Sequence, residues 1–205
     1  MSRERLLKLI EKVEDLFSTE ISLRGYNYTP KLQLLELGLE DVDIKGMASK
    51  QVLDIGCGFG NLVEHLRNKS VIAEGIDIDS PKKSYFMNQN ITSAYPNLGC
   101  IPKENDFYDK ILCHGLTPPL SNLDTNSIII LSEALRVEKP NGEMILFPSF
   151  SIDEKFLNKI WPGRYFIEKR DVWYWQESEK YLDELGKPHQ DYSTFKYTTV
   201  IKKLA

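Results

Sequence analysis

Three glycines at alternate positions, Gly56, Gly58 and Gly60, follow an acid, Asp54, at the end of the apolar run Val52-Leu53-Asp54-Ile55. A helical pattern, Asn61 to Arg67 with Leu62, Val63 and Leu66 apolar, begins at once. Strand, glycine turn and helix in that order bring backbone N–H groups close to a nucleotide-like ligand. Glycine suits the turn because it reaches positive φ and places no Cβ between main chain and ligand. A second apolar run ends in Glu74-Gly75-Ile76-Asp77-Ile78-Asp79, and a third, Asp109 to His114, ends in an imidazole. Open α/β sheets bind ligands at the carboxyl ends of their strands. His114 at such an end can take a proton in a transfer step or line the pocket.

The glycine spacing discriminates between ligands. A dinucleotide fingerprint, G-x-G-x-x-G, requires glycine at position 61. That residue is Asn61, and the third glycine is Gly60.

The elements that must carry these residues alternate. Leu6, Ile10, Val13 and Phe17 recur at helical spacing, so residues 3–17 are expected to form an amphipathic helix. Thr29-Pro30 starts a second helix that Gly38 stops, and residues 39–50 read as an acidic loop. Gln51 to Ile55 and Val71 to Ile78 are strands, and Ser80-Pro81 opens a helix. Asp109 to His114 is a strand, Asn126 to Val137 a helix, Pro140-Asn141-Gly142 a turn and Glu143 to Phe147 a strand. Ser151 is expected to cap a helix ending at Ile160. Tyr165 to Trp175 and Thr194 to Lys203 read as β, with a polar insertion at about 176–192 between them. Residues 91–100 carry little β pattern.

At 205 residues, one domain is expected, with an N-terminal helical cap (1–47), a core (48–150) and C-terminal strands (151–205). A net charge of −4 and a pI near 5.5 argue against nucleic acid as a partner, and no apolar run reaches a membrane span. Cys57, Cys100 and Cys113 are odd in number and form no C-x-x-C, which argues against a disulfide framework or zinc site and suits the cytoplasm.

With its leading acid, the G-x-G-x-G turn resembles the first motif of class I S-adenosylmethionine (SAM)-dependent methyltransferases. Glu74 to Asp79, Ile101-Pro102-Lys103 before Tyr108-Asp109, and Ser132 to Val137 followed by Lys139-Pro140-Asn141-Gly142-Glu143 extend the resemblance over residues 51–148. It implies an α/β, doubly wound, mostly parallel seven-stranded sheet with helices on both faces and a C-terminal antiparallel strand pair. It also supplies the third strand that residues 91–100 do not announce. The implied cofactor is SAM, released as S-adenosylhomocysteine (SAH), with no metal. The turn residues Asp54, Gly56, Cys57, Gly58 and Gly60, together with Cys113, would surround it. Asp77 would accept from the ribose hydroxyls, two acceptor oxygens meeting a diol. Ile78 would pack on the adenine. Asn97, where the family usually has Asp, would accept from the adenine amino group, and the Leu98 amide would meet adenine N1. Asp79 is read as the cap of the next helix. Thr117-Pro118-Pro119-Leu120 lacks the acid or amide and the aromatic ring of amino-methylating DNA enzymes.

Methyl transfer from a sulfonium needs orientation and a dry pocket more than fixed catalytic groups. His114 is the best-placed titratable candidate. His65 is expected on a helix surface, and His189 lies with Asp191 and Tyr192 in the polar insertion. Trp161, Tyr165, Trp173, Tyr174 and Trp175 are expected to be core for at least half of their number. The function expected is methyl transfer to a small-molecule acceptor. Alternatives are a protein or nucleic-acid methyltransferase and a SAM-binding module without turnover.

Overall fold

Alternate residues of the central strands face opposite ways, and both faces are apolar. On β1 (Gln51–Ile55), Leu53 and Ile55 join one buried cluster and Val52 the other. That pattern forces helices onto both sides of a parallel sheet. The computed structural model describes residues 30–77, 91–93, 101–115, 125–147, 152–171 and 197–205. Besides β1, these form α1 (Pro30–Glu36), α2 (Asp41–Gly46), α3 (Asn61–Arg67), β2 (Ile72–Asp77), β3 (Ile91–Ser93), β4 (Tyr108–His114), α4 (Thr125–Val137), β5 (Glu138–Phe147), α5 (Glu154–Ile160), β6 (Tyr165–Asp171) and β7 (Tyr197–Lys203).

The strands form one sheet in the order β3-β2-β1-β4-β5-β7-β6. Neighbours from β3 to β5 are parallel, and β7 runs antiparallel between β5 and β6. The strand order reverses between β1 and β4, which opens a crevice at their carboxyl ends. On one face Leu131, Ala134 and Leu135 of α4 and Leu157 of α5 pack on Ile111, Met144 and Leu146. On the other, Leu34 and Leu37 of α1, Ile44 of α2 and Leu62, Val63 and Leu66 of α3 pack on Leu112, Ile145 and Val200.

Several local expectations are corrected. The acidic stretch 39–50 holds helix α2: the Glu40 amide donates to Asp43 Oδ2 at 2.8 Å, and Asp41 and Asp43 sit in the first turn. The charges that read as loop cap a helix. The cap of α5 is Asp153 rather than Ser151, its Oδ1 accepting from the Phe156 amide at 2.7 Å. β5 begins at Glu138, and Pro140-Asn141-Gly142 bulges from it: Tyr108 pairs with Glu138 and Lys110 with Glu143. β3 is three residues long and pairs with Gly75 to Asp77. The expected helices at 3–17 and after Ser80-Pro81, the strand residues beyond Asp171 and the polar insertion lie outside the described residues. Among those described, no helix is long and apolar enough to cross a membrane.

Gly75, in the middle of β2, lies directly against the glycine turn and α3. A Cβ there would lie 2.8 Å from Cys57 Sγ and 2.8 Å from Val63 Cγ2. Gly75→Ala is therefore expected to destabilise by about 1–3 kcal/mol in urea unfolding. Gly46→Ala, with nothing within 4 Å of its Cβ, should stay within about 0.5 kcal/mol. Equal effects would place the turn farther from β2.

Candidate functional site

The turn after β1 takes its shape from its glycines: φ is 78° at Gly56, 50° at Gly58 and 74° at Gly60, all in the left-handed region that side chains disfavour. Hydrogen bonds stitch it to the end of β2. The amides of Gly56 and Cys57 donate to the Ile76 carbonyl at 2.8 and 3.1 Å. The Gly58 amide donates to Asp77 Oδ2 at 2.7 Å. Gly60 precedes α3, and its carbonyl accepts from the Glu64 amide. Asp77 thus anchors the turn before any ligand is considered.

Asp54 faces the α1–α3 side. It is 1% exposed, and neither carboxyl oxygen has a hydrogen-bond partner among the described residues. Burial pushes its carboxyl up to about 7; the charge of His114 opposes the shift and that of Asp77 adds to it. An unpartnered buried carboxylate is costly, and a cation supplied by a ligand would relieve the cost.

His114 lies on the same face. The β1–β4 register pairs Asp54 with Leu112 and Ile55 with Cys113, which puts His114 level with Gly56. Its ring stacks on Phe147 of β5, centroids 5.5 Å apart. His114 Nε2 lies 2.6 Å from Oε2 of Glu36, with side-chain exposures of 4% and 2%. The Glu36 carbonyl accepts from Thr198 Oγ1 of β7 at 2.8 Å. No motif in the sequence marks Glu36. Its signal is an acid in the leucine-rich stretch Leu34-Leu35-Glu36-Leu37, where charge on a core-facing helix demands a partner.

The remaining candidates divide. Cys113 is buried in the cluster on the opposite face, and Cys57 is buried against α3. Burial pushes both thiols far up, so neither forms a thiolate nucleophile. His65 is half-buried in the last turn of α3. Tyr165 is core, its hydroxyl donating to the Trp161 carbonyl at 2.6 Å. Ile78, Asp79, Asn97, Leu98, Thr117 to Leu120, His189, Asp191, Tyr192, Trp173, Tyr174 and Trp175 lie outside the described residues. No cluster of potential metal ligands occurs among those described. A cavity of about 370 Å³ lined by Met47, Lys50, Asp109 and Lys139 opens at the other end of the sheet, away from the glycine turn.

No family profile matches the sequence, and no curated protein is detectably similar to it in sequence. Solved structures are similar. A SAM-dependent methyltransferase from Archaeoglobus fulgidus matches at 15% identity and TM-score 0.55, over 89% of this chain and 98% of its own. A TehB-like SAM-dependent methyltransferase from Corynebacterium glutamicum matches at 16% and 0.53, over 98% and 100%. One from Mesorhizobium loti matches at 12% and 0.51, over 86% and 98%. The chain has the class I SAM-dependent methyltransferase fold. In this methyltransferase fold, Asp54, Asp77 and His114 sit at the carboxyl edge of β1, β2 and β4, around the reversal of strand order.

The buried Asp54 has a consequence for stability. Its carboxyl titrates near 3.8 when unfolded and about 7 when folded. The folded state holds the proton longer, so this contribution is complete below pH ~4 and is lost as pH rises through about 7. Glu138, pushed by burial up to about 8, acts with the same sign. Asp54→Asn removes the first titration. Relative to wild type, the variant is expected to gain stability as pH rises from 5 to 8, by on the order of 1–4 kcal/mol. A difference independent of pH in thermal unfolding would mean that Asp54 is not desolvated.

Proposed function

We propose that this chain is a SAM-dependent methyltransferase that transfers the methyl group to a small-molecule acceptor. The observation carrying the reading is the pairing of a built glycine turn with a buried Asp54 beside it, whose carboxyl has no hydrogen-bond partner among the described residues. SAM brings positive charge and a ribose diol, and the residues present fit both. Asp54 would face a cationic part of the cofactor. Asp77 would accept from the ribose hydroxyls while its tie to the Gly58 amide sets its direction. Gly56, Cys57, Gly58 and Gly60 would let the cofactor approach the main chain, with the backbone of Cys113 contributing at the end of β4. Ile78, Asn97 and Leu98 would hold the adenine.

When bound, SAM supplies an electrophilic methyl group on a sulfonium. The chain's part is then to orient, to exclude water and to hold charge. His114 closes the floor of the site with its ring clamped between Glu36 and Phe147, which favours a lining role over proton abstraction. The net charge of −4 favours a small acceptor over nucleic acid. The cysteine pattern suits a cytoplasmic setting. Turnover is expected without added metal and should survive EDTA.

The first test is ligand-dependent melting. SAM and SAH are expected to raise Tm by linkage, and NAD is not; stabilisation by NAD alone would sink the reading. Asp77→Asn and Asp77→Ala should each weaken SAM binding by at least about tenfold in calorimetry. Only Asp77→Ala, which strips the acceptor from the Gly58 amide, should also lower the Tm of the unliganded protein. Asp79→Ala should cost much less affinity. Single-turnover transfer of labelled methyl to candidate acceptors separates an enzyme from a binding module.

A further inference from the structure

Three acids and one imidazole share the α1–α3 side of the sheet's carboxyl edge: Glu36 from α1, Asp54 from β1, Asp77 from β2 and His114 from β4. His114 is the basic group acting on Asp54 among the described residues. It is committed elsewhere, through the 2.6 Å contact of its Nε2 with Glu36. Thr198 holds the Glu36 backbone and Phe147 holds the ring, so the pair is fixed from three strands. Among the described residues, neither oxygen of Asp54 has a hydrogen-bond partner.

Charge balance turns this arrangement into selectivity. While Glu36 takes the imidazole as its partner, its charge offsets that of His114, and the Asp54 carboxyl is left to face the ligand edge. Without the Glu36 charge, His114 acts on Asp54 unopposed, and the edge loses attraction for a cation. Resting on the reading of this site as a SAM site, we propose that Glu36 is a positioning residue. By engaging His114 it keeps Asp54 available to positive charge, and so sets the preference for the sulfonium cofactor over its neutral thioether product. The helix α1 preceding the sheet is then part of the cofactor's recognition, through charge rather than contact.

The test is isothermal titration of the full chain with SAM and with SAH at one pH. Glu36→Gln keeps shape and removes charge. It is expected to lower the ratio of SAH to SAM dissociation constants by about 3–10-fold, with SAH affinity changing less than about twofold. His114→Gln should not lower the ratio, because Asp54 then has no competing counter-ion. In the His114→Gln background, Glu36→Gln should have no further effect on it. Thr198→Val, which loosens Glu36 without altering charge, should lower Tm and leave the ratio alone.

Equal loss of both ligands in Glu36→Gln would show a purely structural role. An undiminished effect in the His114→Gln background would show direct action without His114. A lower ratio in His114→Gln alone would also overturn the proposal, and this arm stands even if Glu36→Gln folds poorly. Wild-type protein that binds neither ligand removes the reading of the site itself. Binding of both with an unchanged ratio in Glu36→Gln removes only this inference.

Discussion

The burial of the Asp54 carboxyl near the end of β1, with no hydrogen bond to it among the described residues, is the constraint around which the candidate site is organised. A charge in that position opposes folding. The chain keeps it at the one edge where a parallel sheet can admit a ligand, between strands whose order reverses. Around it the structure places groups that modulate charge without satisfying it: His114 on one side, Asp77 on the other. Desolvation is what would let the position attract a ligand cation, since Coulomb attraction is strong only where water is excluded.

The glycine turn and β2 form the rigid side of this edge. Two amides on the Ile76 carbonyl and one on Asp77 set the turn before a cofactor arrives, which lowers the ordering cost of binding. Close approach is possible because Gly75 lacks a side chain where Cys57 and Val63 press against β2. The same feature gives the turn little tolerance, because added volume under it would shift the amides bonded to Ile76 and Asp77.

Strand alternation decides which helices belong to the chemistry. Asp54 and His114 point toward α1–α3, while Cys113, between Leu112 and His114, points toward α4 and α5. The side chains of two adjacent residues of β4 therefore face different sets of helices. The 2.6 Å contact between Glu36 and His114, with the Thr198 bond to the Glu36 carbonyl, ties the segment before the sheet to the carboxyl edge of the sheet.

Much of this was legible in the chain. The spacing of Gly56, Gly58 and Gly60 determined the turn, because only glycine takes three left-handed conformations in five residues without strain. The apolar runs determined β1, β2 and β4, and the run Asn61 to Arg67 determined α3. Local chemistry settles such elements, so local sequence announces them. The acidic stretch 39–50 misled because charge that solvates a loop also caps a helix, and the difference lies in where Ile44 and Met47 are buried. Asp77 was recognisable as a candidate ligand group, but its bond to Gly58 was not, since that bond joins the turn after β1 to the end of β2, brought together only by β1–β2 pairing. The partner of His114 was beyond reach of any spacing rule: Glu36 lies 78 residues earlier, on a helix that reads as packing alone. Pairing between distant residues follows from register and from which face a side chain takes, and those are properties of the assembled sheet.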